Sequence, residues 1–435
     1  MSFLVRQPPK TVSFHTLGCK LNYAETSTIS RLFVENGYLK VDFGQKSDVV
    51  VINSCTVTAQ ADKKCRQAIS KAVKISPGAI VVIIGCYAEL KAEEISNLPG
   101  VSLVLGNQEK FNIIDRINSL LSVATASVSG CNAKERFFPS YSLFDRTRSF
   151  LKVQDGCDYR CSYCTIPKAR GNSRNAPINE IAEQARTVAS KGVKEIVLTG
   201  VNIGDFGQST GESFIGLLSA LNEIKQLERI RIGSVEPNLI STEIIQMIGQ
   251  SDILAPHFHI PLQSGCNKIL GLMGRRYRRE LFADKVLQIH KLIPHAAIGA
   301  DVIVGFPGET DEDFEETQSF IQNLDLSYLH VFIYSERPDT RAINFPGKVP
   351  HHIAEQRSKT LIRLSEEKRR NFYNQHIGKT LKTLFEQKEK NNTISGFTDN
   401  YIKVEIPFDD HLIGKCIPVL LSDISESGNV ISLHP

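Results

Sequence analysis

The sequence predicts a mixed α/β protein of three domains: a doubly wound parallel α/β domain, six consecutive βα units that form a partial or complete barrel, and a small C-terminal β-barrel. Short β-branched runs alternate with helix-length amphipathic segments over most of the chain, which then changes to short strands with turn signals after Gly378. At 435 residues the chain is too long for one ordinary domain. We place the domains at residues 1–130, 143–375 and 376–435.

Four apolar strand candidates in the first domain are separated by segments long enough for helices. The strands are TVSFHTLG, VVVIN, AIVVIIG and VSLVLG, and the helices run from Asn22 to Asn36 and from Ala59 to Lys74. Continuous apolar strands of this kind are typical of a parallel sheet that is covered on both faces. Residues 122–141 have little pattern and are expected to form the linker out of this domain.

The second domain contains six strand candidates in a row, namely FLKVQD, EIVLTG, RIRIGSV, HFHIPL, IGADVIVGF and YLHVFIY. Helices are predicted between them over residues 179–190, 279–292 and 311–324, and a last helix over residues 353–374. The short strands and turns that follow predict a separate β-rich module.

Composition excludes several classes of protein. With 41% hydrophobic and 23% charged residues the chain has an ordinary globular composition. Its longest apolar runs are too short to cross a bilayer, and the start MSFLVRQPPK does not resemble a signal peptide, so we expect a cytoplasmic protein without a membrane partner. The net charge of +4 permits nucleic acid as a partner but does not demand it.

Ten cysteines in such a chain indicate metal or thiolate chemistry rather than a disulfide framework. Cys157, Cys161 and Cys164 lie in the string QDGCDYRCSYCTIPKARG, directly after a predicted strand. Soft thiolates suit a four-iron cluster, and three of them would leave one iron open to a non-protein ligand. A zinc site completed by a distant His or Cys, or three unrelated thiols, is the alternative.

This C-x3-C-x2-C loop resembles the signature of the radical S-adenosylmethionine enzymes, with Tyr163 as the aromatic residue before the last cysteine. The resemblance implies that the open iron chelates S-adenosylmethionine. One electron from the cluster then breaks the sulfonium bond and releases a 5′-deoxyadenosyl radical. It also implies a partial (β/α)6 radical-SAM barrel, with the site at the carboxyl ends of the strands.

A second set of cysteines lies upstream: Cys19 in TLGCKLNYAET, Cys55 in VINSCTVTA and Cys86 in IIGCYAEL. Each follows a predicted strand, and the carboxyl ends of parallel strands share one edge, so the three thiols could meet there. The alternative is that they are small buried hydrophobic residues. The remaining thiols fit neither set and are expected to be inert: Cys65, Cys131, Cys266 and Cys416.

The upstream set, followed by a radical S-adenosylmethionine domain and a small β module, resembles the methylthiotransferase family over essentially the whole chain. The resemblance implies that Cys19, Cys55 and Cys86 hold an auxiliary four-iron cluster with one iron free. It also implies that the last module is TRAM-like, an RNA-binding β-barrel. The string GCKLN is more similar to the threonylcarbamoyladenosine-tRNA branch than to the isopentenyladenosine branch, where GCQMN is typical.

The resemblance therefore implies a tRNA methylthiotransferase that converts N6-threonylcarbamoyladenosine at position 37 of the anticodon loop into its 2-methylthio derivative. It would use two [4Fe-4S] clusters, and S-adenosyl-L-methionine as both radical source and methyl donor. We expect a monomer with a flavodoxin- or ferredoxin-like electron donor, and the sequence indicates no sulfur donor. The alternatives are a methylthiotransferase for isopentenyladenosine-tRNA or for a ribosomal protein, and an iron–sulfur RNA-binding protein without this activity.

Several loops after the barrel strands are suited to holding S-adenosylmethionine. Glycine lets a backbone approach a ligand closely, and a carboxylate accepts hydrogen bonds from ribose hydroxyls. The alternative is that these strand ends are ordinary turns. Besides Tyr163, the predicted contacts are Gly200, Ser234, Glu236, Gln263 and Asp301.

For RNA, arginine beside an aromatic side chain can pair with phosphate and stack on a base, although a solvated charge run is the alternative. The C-terminal module is not basic overall, because from Gly378 onward six Lys stand against eight Asp and Glu. It must therefore bind RNA with a local face. The predicted contacts are Arg170, Arg174, Arg275, Arg276, Arg278, Phe397, Tyr401 and Lys403.

Overall fold

The computed structural model describes residues 10–56, 58–122, 136–390 and 392–432. By packing, the chain divides into two compact units. Unit 1 contains residues 1–142, 156–158 and 165–172, and unit 2 contains residues 143–155, 159–164 and 173–435. Most of the predicted linker falls in residues 123–135, outside the described residues. The C-terminal β module lies within unit 2, and the three domain boundaries stay predictions.

Unit 1 is built on a five-stranded parallel sheet with the order β2-β1-β3-β4-β5. Its strands are β1 (Thr11–Thr16), β2 (Leu39–Val41), β3 (Val49–Ser54), β4 (Ile80–Gly85) and β5 (Val101–Leu105), with a short β6 (Ser140–Tyr141). Its helices are α1 (Lys20–Glu35), α2 (Ala59–Ile75), α3 (Cys86–Leu90), α4 (Ala92–Ser96), α5 (Ile113–Ser122) and α6 (Ile166–Arg170).

Both faces of this sheet are covered. Every residue of β3 is buried, with Val50 and Ile52 in one apolar cluster and Val49 and Val51 in the other. Helix α2 packs on the first face, and α1 and α5 pack on the second. Side chains alternate between the faces of a strand, so a continuous apolar run requires this two-sided cover. Strand β2 was not predicted, because its three residues, LKV, do not show a strand pattern.

Unit 2 contains six parallel strands in chain order, as predicted. They are β7 (Ser149–Lys152), β8 (Glu195–Thr199), β9 (Arg229–Ile232), β10 (His257–Gln263), β11 (Ala297–Val304) and β12 (Tyr328–Ile333). Between β9 and β10 the pairing is reduced to isolated bridges, such as that from Ser234 to His259. The helices are α7 (Ile178–Ser190), α8 (Phe214–Asn222), α9 (Thr242–Gln250), α10 (Asn267–Met273), α11 (Arg279–Leu292), α12 (Asp311–Gln322) and α13 (His351–Asn374).

The residues after Gly378 form a six-stranded sheet with the order β16-β13-β14-β15-β18-β17. Its core includes Phe385, Ile394 and Val404, which pack with Phe372 and Tyr373 from the end of α13. Helix α13 therefore shares its last turn with this module. The strands are β13 (Thr380–Lys390), β14 (Thr393–Thr398), β15 (Lys403–Pro407), β16 (Cys416–Leu420), β17 (Asp423–Ile424) and β18 (Val430–Ile431).

Two buried arginines of β9 join the parallel strands to the C-terminal sheet. Arg229 and Arg231 donate to the two carboxylate oxygens of Glu195 in β8, at 3.0 and 2.9 Å. Their remaining N–H groups donate to backbone carbonyls of the module, including those of Phe397 and Thr398, both at 3.0 Å. Burial alone would raise the pKa of Glu195, but Arg231 and Arg229 lower it to about 2.

We expect Glu195→Gln to lower the free energy of unfolding of the full chain by about 3–5 kcal/mol, because it leaves two guanidinium groups buried without their carboxylate. Since the folded-state pKa of Glu195 is depressed, its contribution should be constant above about pH 4.5 and be lost as the pH falls towards 2. Urea unfolding at several pH values measures this. The control variant is Glu183→Gln, because Glu183 forms only an exposed ion pair with Arg186. Equal losses of stability in the two variants would contradict a stabilising role for the buried Glu195 carboxylate.

Candidate cluster sites

The upstream cysteines meet where the sheet of unit 1 predicts. Cys19, Cys55 and Cys86 follow β1, β3 and β4, which are adjacent and parallel, so all three lie at one sheet edge. Gly18, in the left-handed region with φ +99°, passes so close to Cys55 that an added Cβ would lie 3.0 Å from its Sγ. Only glycine allows this approach. The structure thus places three cysteines at one sheet edge, of which Cys55 and Cys86 are buried and Cys19 is exposed.

A buried polar network connects the surroundings of Cys19 and Cys86. The Glu25 carboxylate accepts from Lys110 Nζ at 2.6 Å and from Arg170 at 3.1 Å. Lys110 also donates to Asn107 Oδ1 at 2.8 Å, and Arg170 donates to Asn22 Oδ1 at 2.8 Å. Each of these two amides contacts a cysteine. Asn22 Oδ1 lies 3.9 Å from Cys19 Sγ, and Asn107 Nδ2 lies 3.9 Å from Cys86 Sγ.

The ionised groups of this network, which we call the Glu25 network, carry two positive charges and one negative charge. Their side chains are at most 1% exposed. Three thiolates would bring negative charge to this edge, so the surplus positive charge favours their ionised, metal-binding form. The donor type and the charge both fit an iron–sulfur cluster.

The second set of cysteines follows β7. In unit 1, the Cys157 N–H donates to the Gly171 carbonyl at 3.0 Å. In unit 2, the Cys164 N–H donates to the Cys161 carbonyl at 3.3 Å, so these two residues occupy one tight turn. The adjacent Ser162 is held by backbone bonds to the Met273 carbonyl and from the Ala342 N–H, each 2.9 Å. All three cysteines are of intermediate exposure, which is compatible with a role as metal ligands.

Arg275 is placed beside this loop and does not face solvent. Its side chain is 4% exposed, donates to Cys161 Sγ at 3.2 Å and forms an ion pair with Glu236. Burial raises the pKa of Glu236, although Arg275 opposes the shift. Arg275 is a predicted RNA contact, and its guanidinium group already has two partners inside the protein. Its contact with RNA stays a prediction.

The other predicted contacts for S-adenosylmethionine differ in their surroundings. Gln263 adopts φ +65° at a register shift between β10 and β11, a strained backbone of the kind that clusters at functional sites. Gly200 lies against Gln154, whose side-chain oxygen accepts from the backbone N–H groups of Val201 and Asn202. Close packing therefore already explains a glycine at this position.

Tyr163 packs edge-on against Phe306, with ring centroids 6.1 Å apart. Ser234 and Asp301 contact two histidines that the sequence analysis missed.

Among the predicted RNA contacts, two more arginines are buried in ion pairs. Arg170 belongs to the Glu25 network, and Arg174 pairs with Asp155 at 3.0 Å with its side chain 8% exposed. As for Arg275, the contacts of these two arginines with RNA stay predictions. Arg276 and Arg278 are exposed, and Arg276 lies 3.9 Å from the ring centroid of Tyr159.

The predicted aromatic face of the C-terminal module lines a cleft together with α13 and β12. Phe397 and Tyr401 stack with centroids 4.7 Å apart, and Lys403 lies nearby. The barrel arginines Arg148 and Arg231 cover these two rings at 5.0 and 4.9 Å. The rings are therefore partly occupied by the protein, while the cleft keeps an aromatic and basic lining.

Three of the cysteines outside both sets lie within the described residues. Cys65 is buried in α2, and desolvation raises the pKa of its thiol to about 12, which favours its protonated form. Cys266 is also buried, and desolvation raises its pKa to about 11. Cys416 lies in β16, and Cys131 lies outside the described residues.

We expect Glu25→Gln to destabilise the cluster-free protein by about 3–5 kcal/mol, because it leaves Lys110 and Arg170 buried without their shared carboxylate. Urea unfolding followed by circular dichroism measures the change. Glu35→Gln, an exposed substitution in the same helix, is the control and should change stability by less than about 0.5 kcal/mol. If both variants unfold at the same urea concentration, the network does not stabilise unit 1.

Comparisons with known proteins match two parts of the chain. Residues 11–106 match the uncharacterized protein family UPF0004, and residues 151–321 match the radical SAM superfamily. Among solved structures, the radical S-adenosylmethionine methyltransferase TsrM of Kitasatospora setae superposes with a TM-score of 0.57, at 14% identity, over 77% of each chain. At that identity the likeness concerns the fold. No helix within the described ranges is both long and apolar enough to span a membrane.

Full-length relatives show the family. The chain is 40% identical to threonylcarbamoyladenosine tRNA methylthiotransferase MtaB of Bacillus subtilis over 94% of this chain and 93% of the relative. It is also 40% identical to the MtaB protein of Aquifex aeolicus, over 91% and 96%. A tRNA-2-methylthio-N(6)-dimethylallyladenosine synthase of Syntrophotalea carbinolica is 29% identical over 95% and 97%. The chain therefore belongs to the family of radical S-adenosylmethionine tRNA methylthiotransferases, with the MtaB proteins.

Proposed function

We propose that this protein converts N6-threonylcarbamoyladenosine at position 37 of tRNA into its 2-methylthio derivative. The observation that carries the proposal is the gathering of Cys19, Cys55 and Cys86 at one sheet edge, in a chain that also has the radical S-adenosylmethionine loop. MtaB relatives at 35–40% identity support this substrate. The dimethylallyladenosine synthases at 28–32% identity make the isopentenyl-type adenosine the second candidate.

We assign one four-iron cluster to Cys157, Cys161 and Cys164, and an auxiliary cluster to the upstream three. When bound, the first supplies the electron that splits S-adenosylmethionine, and the second holds the sulfur to be inserted. Arg275 orients Cys161 and neutralises part of the thiolate charge. The Glu25 network holds α1 and α6 in place beside Cys19 and Cys86.

We also propose cofactor and RNA contacts within unit 2. Tyr163, Gly200, Glu236 and Gln263 are proposed to line the S-adenosylmethionine site, since each lies in the cluster loop or at or just beyond the carboxyl end of a strand of the parallel set. We propose a TRAM-like RNA-binding role for residues 376–435, with the aromatic cleft at Phe397 and with Arg276 and Arg278 as exposed cations. A flavodoxin- or ferredoxin-like electron donor, a cytoplasmic location and a monomeric state stay predictions.

The substrate is tested by mass spectrometry of nucleosides from tRNA of a strain that lacks the gene. We expect 2-methylthio-threonylcarbamoyladenosine to disappear, its unmethylthiolated precursor to accumulate, and methylthiolated isopentenyladenosine to be unchanged. Re-expression of the gene should restore the modification. An unchanged level of 2-methylthio-threonylcarbamoyladenosine would refute the substrate, and loss of the isopentenyl derivative would favour the second candidate.

The two cysteine sets are separated by single substitutions in anaerobically prepared protein. Cys161→Ala should abolish 5′-deoxyadenosine release, because the first cluster loses a ligand, while the iron of the upstream site is kept. Cys55→Ala should retain cleavage of S-adenosylmethionine and lose methylthiolated product. Cys416→Ser, a thiol of β16 outside both sets, is the matched control and should keep both activities. Normal 5′-deoxyadenosine release by Cys161→Ala, or methylthiolated product from Cys55→Ala, would contradict these roles.

A further inference from the structure

Two histidines and an aspartate from three adjacent strands converge inside unit 2. His259 lies in β10, Asp301 in β11 and His330 in β12, and these strands are paired in that order. His259 Nε2 is 3.1 Å from His330 Nδ1 and 3.3 Å from Asp301 Oδ1. His330 Nδ1 is 3.3 Å from the same Asp301 oxygen. Three donor atoms therefore form a nearly equilateral triangle.

The triangle has the dimensions of one face of a tetrahedral metal site. Zn²⁺ binds imidazole nitrogen and carboxylate oxygen at about 2.0–2.2 Å, so two ligands of a tetrahedral ion lie roughly 3.3 Å apart. The three measured separations match that edge length. Imidazole and carboxylate are also the donor types that first-row divalent cations prefer, and three protein ligands leave a fourth position for water.

The other ring nitrogen of His259 is already held by the protein. Ser234, which follows β9, places its Oγ 2.7 Å from His259 Nδ1. Metal-binding histidines characteristically use their second nitrogen in such a bond, which fixes the ring and leaves the first nitrogen for the ion. The His259 side chain is 12% exposed and that of Asp301 is 21% exposed, whereas His330 is 53% exposed. An ion could therefore enter past His330.

We infer that His259, Asp301 and His330 form a binding site for a divalent first-row cation, with Zn²⁺ as the best fit, separate from both cysteine sets. The ion would cross-link β10, β11 and β12, the last three strands of the parallel set. This role differs from the contacts to S-adenosylmethionine predicted for Asp301 and Ser234. A group of hydrogen bonds without metal is the competing explanation, and it predicts no affinity for zinc.

The experiment uses the full chain, purified anaerobically with its iron–sulfur clusters in place so that the cysteines are occupied. The protein is incubated with one equivalent of ZnSO₄ and passed through gel filtration, and zinc and iron per chain are measured by inductively coupled plasma mass spectrometry. We expect one zinc per wild-type chain, and zinc should raise the unfolding temperature because it binds only the folded state. Absence of retained zinc in the wild type would overturn the proposal.

His330→Gln should lose the retained zinc and its thermal shift while the iron content stays unchanged. His351→Gln, which changes an exposed histidine at the start of α13, is the matched control and should retain zinc. Ser234→Ala keeps all three ligands and should weaken zinc binding about 10- to 100-fold, so it tests the site even if His330→Gln folds poorly. Equal zinc affinity in wild type, His330→Gln and Ser234→Ala would also overturn the proposal.

Discussion

The order of parallel strands is the constraint on which the chemistry of this protein depends. In unit 1, β1, β3 and β4 are neighbours, so residues far apart in sequence reach the same sheet edge as soon as those strands pair. The proposed ligands Cys19, Cys55 and Cys86 come together in this way. In unit 2, the pairing of β10, β11 and β12 brings His259, Asp301 and His330 close together within those strands. The positions of the proposed ligands are therefore a consequence of sheet topology and need no contiguous motif.

Buried carboxylates that are each shared by several cations hold neighbouring elements of the two units together. Glu25 is shared by Lys110 and Arg170, and Glu195 is shared by Arg229, Arg231 and, at 3.8 Å, Arg148. In both cases the remaining N–H groups of the cations bind oxygens of other elements, so desolvation is offset by several directed bonds. Two apolar surfaces can shift past each other by about an ångström at little cost, whereas these directed bonds allow only one relative position of the elements that they join. Such rigidity is what a multi-ligand site requires.

The sequence predicts the elements well where periodicity is strong, and it predicts side-chain partners poorly. The apolar runs of β3 and β4, the six strands of unit 2 and helices α11 and α13 agree with their patterns, because burial of one face or both dictates those patterns. The cysteine sets were predictable because each follows a strand. Glu25, Lys110 and His330 were not, because their partners are brought close only by the fold. A signal existed for the histidines, since HFHIPL and YLHVFIY place them within otherwise apolar strands.

The sequence also does not show which arginines are buried with a partner. A basic run shows charge but not exposure, and Arg170, Arg174 and Arg275 prove to neutralise carboxylates inside the protein. Each phosphate contact to a single strand contributes roughly 0.7 to the slope of log affinity against log salt. Without three of the six predicted cations, the expected salt dependence is half of that which the sequence implies. The proposed binding of an anticodon loop would then depend more on the cleft lined by Phe397, Tyr401 and Lys403, where stacking accepts any base. Because such stacking does not select a base, it cannot by itself distinguish the modified adenosine from other nucleosides.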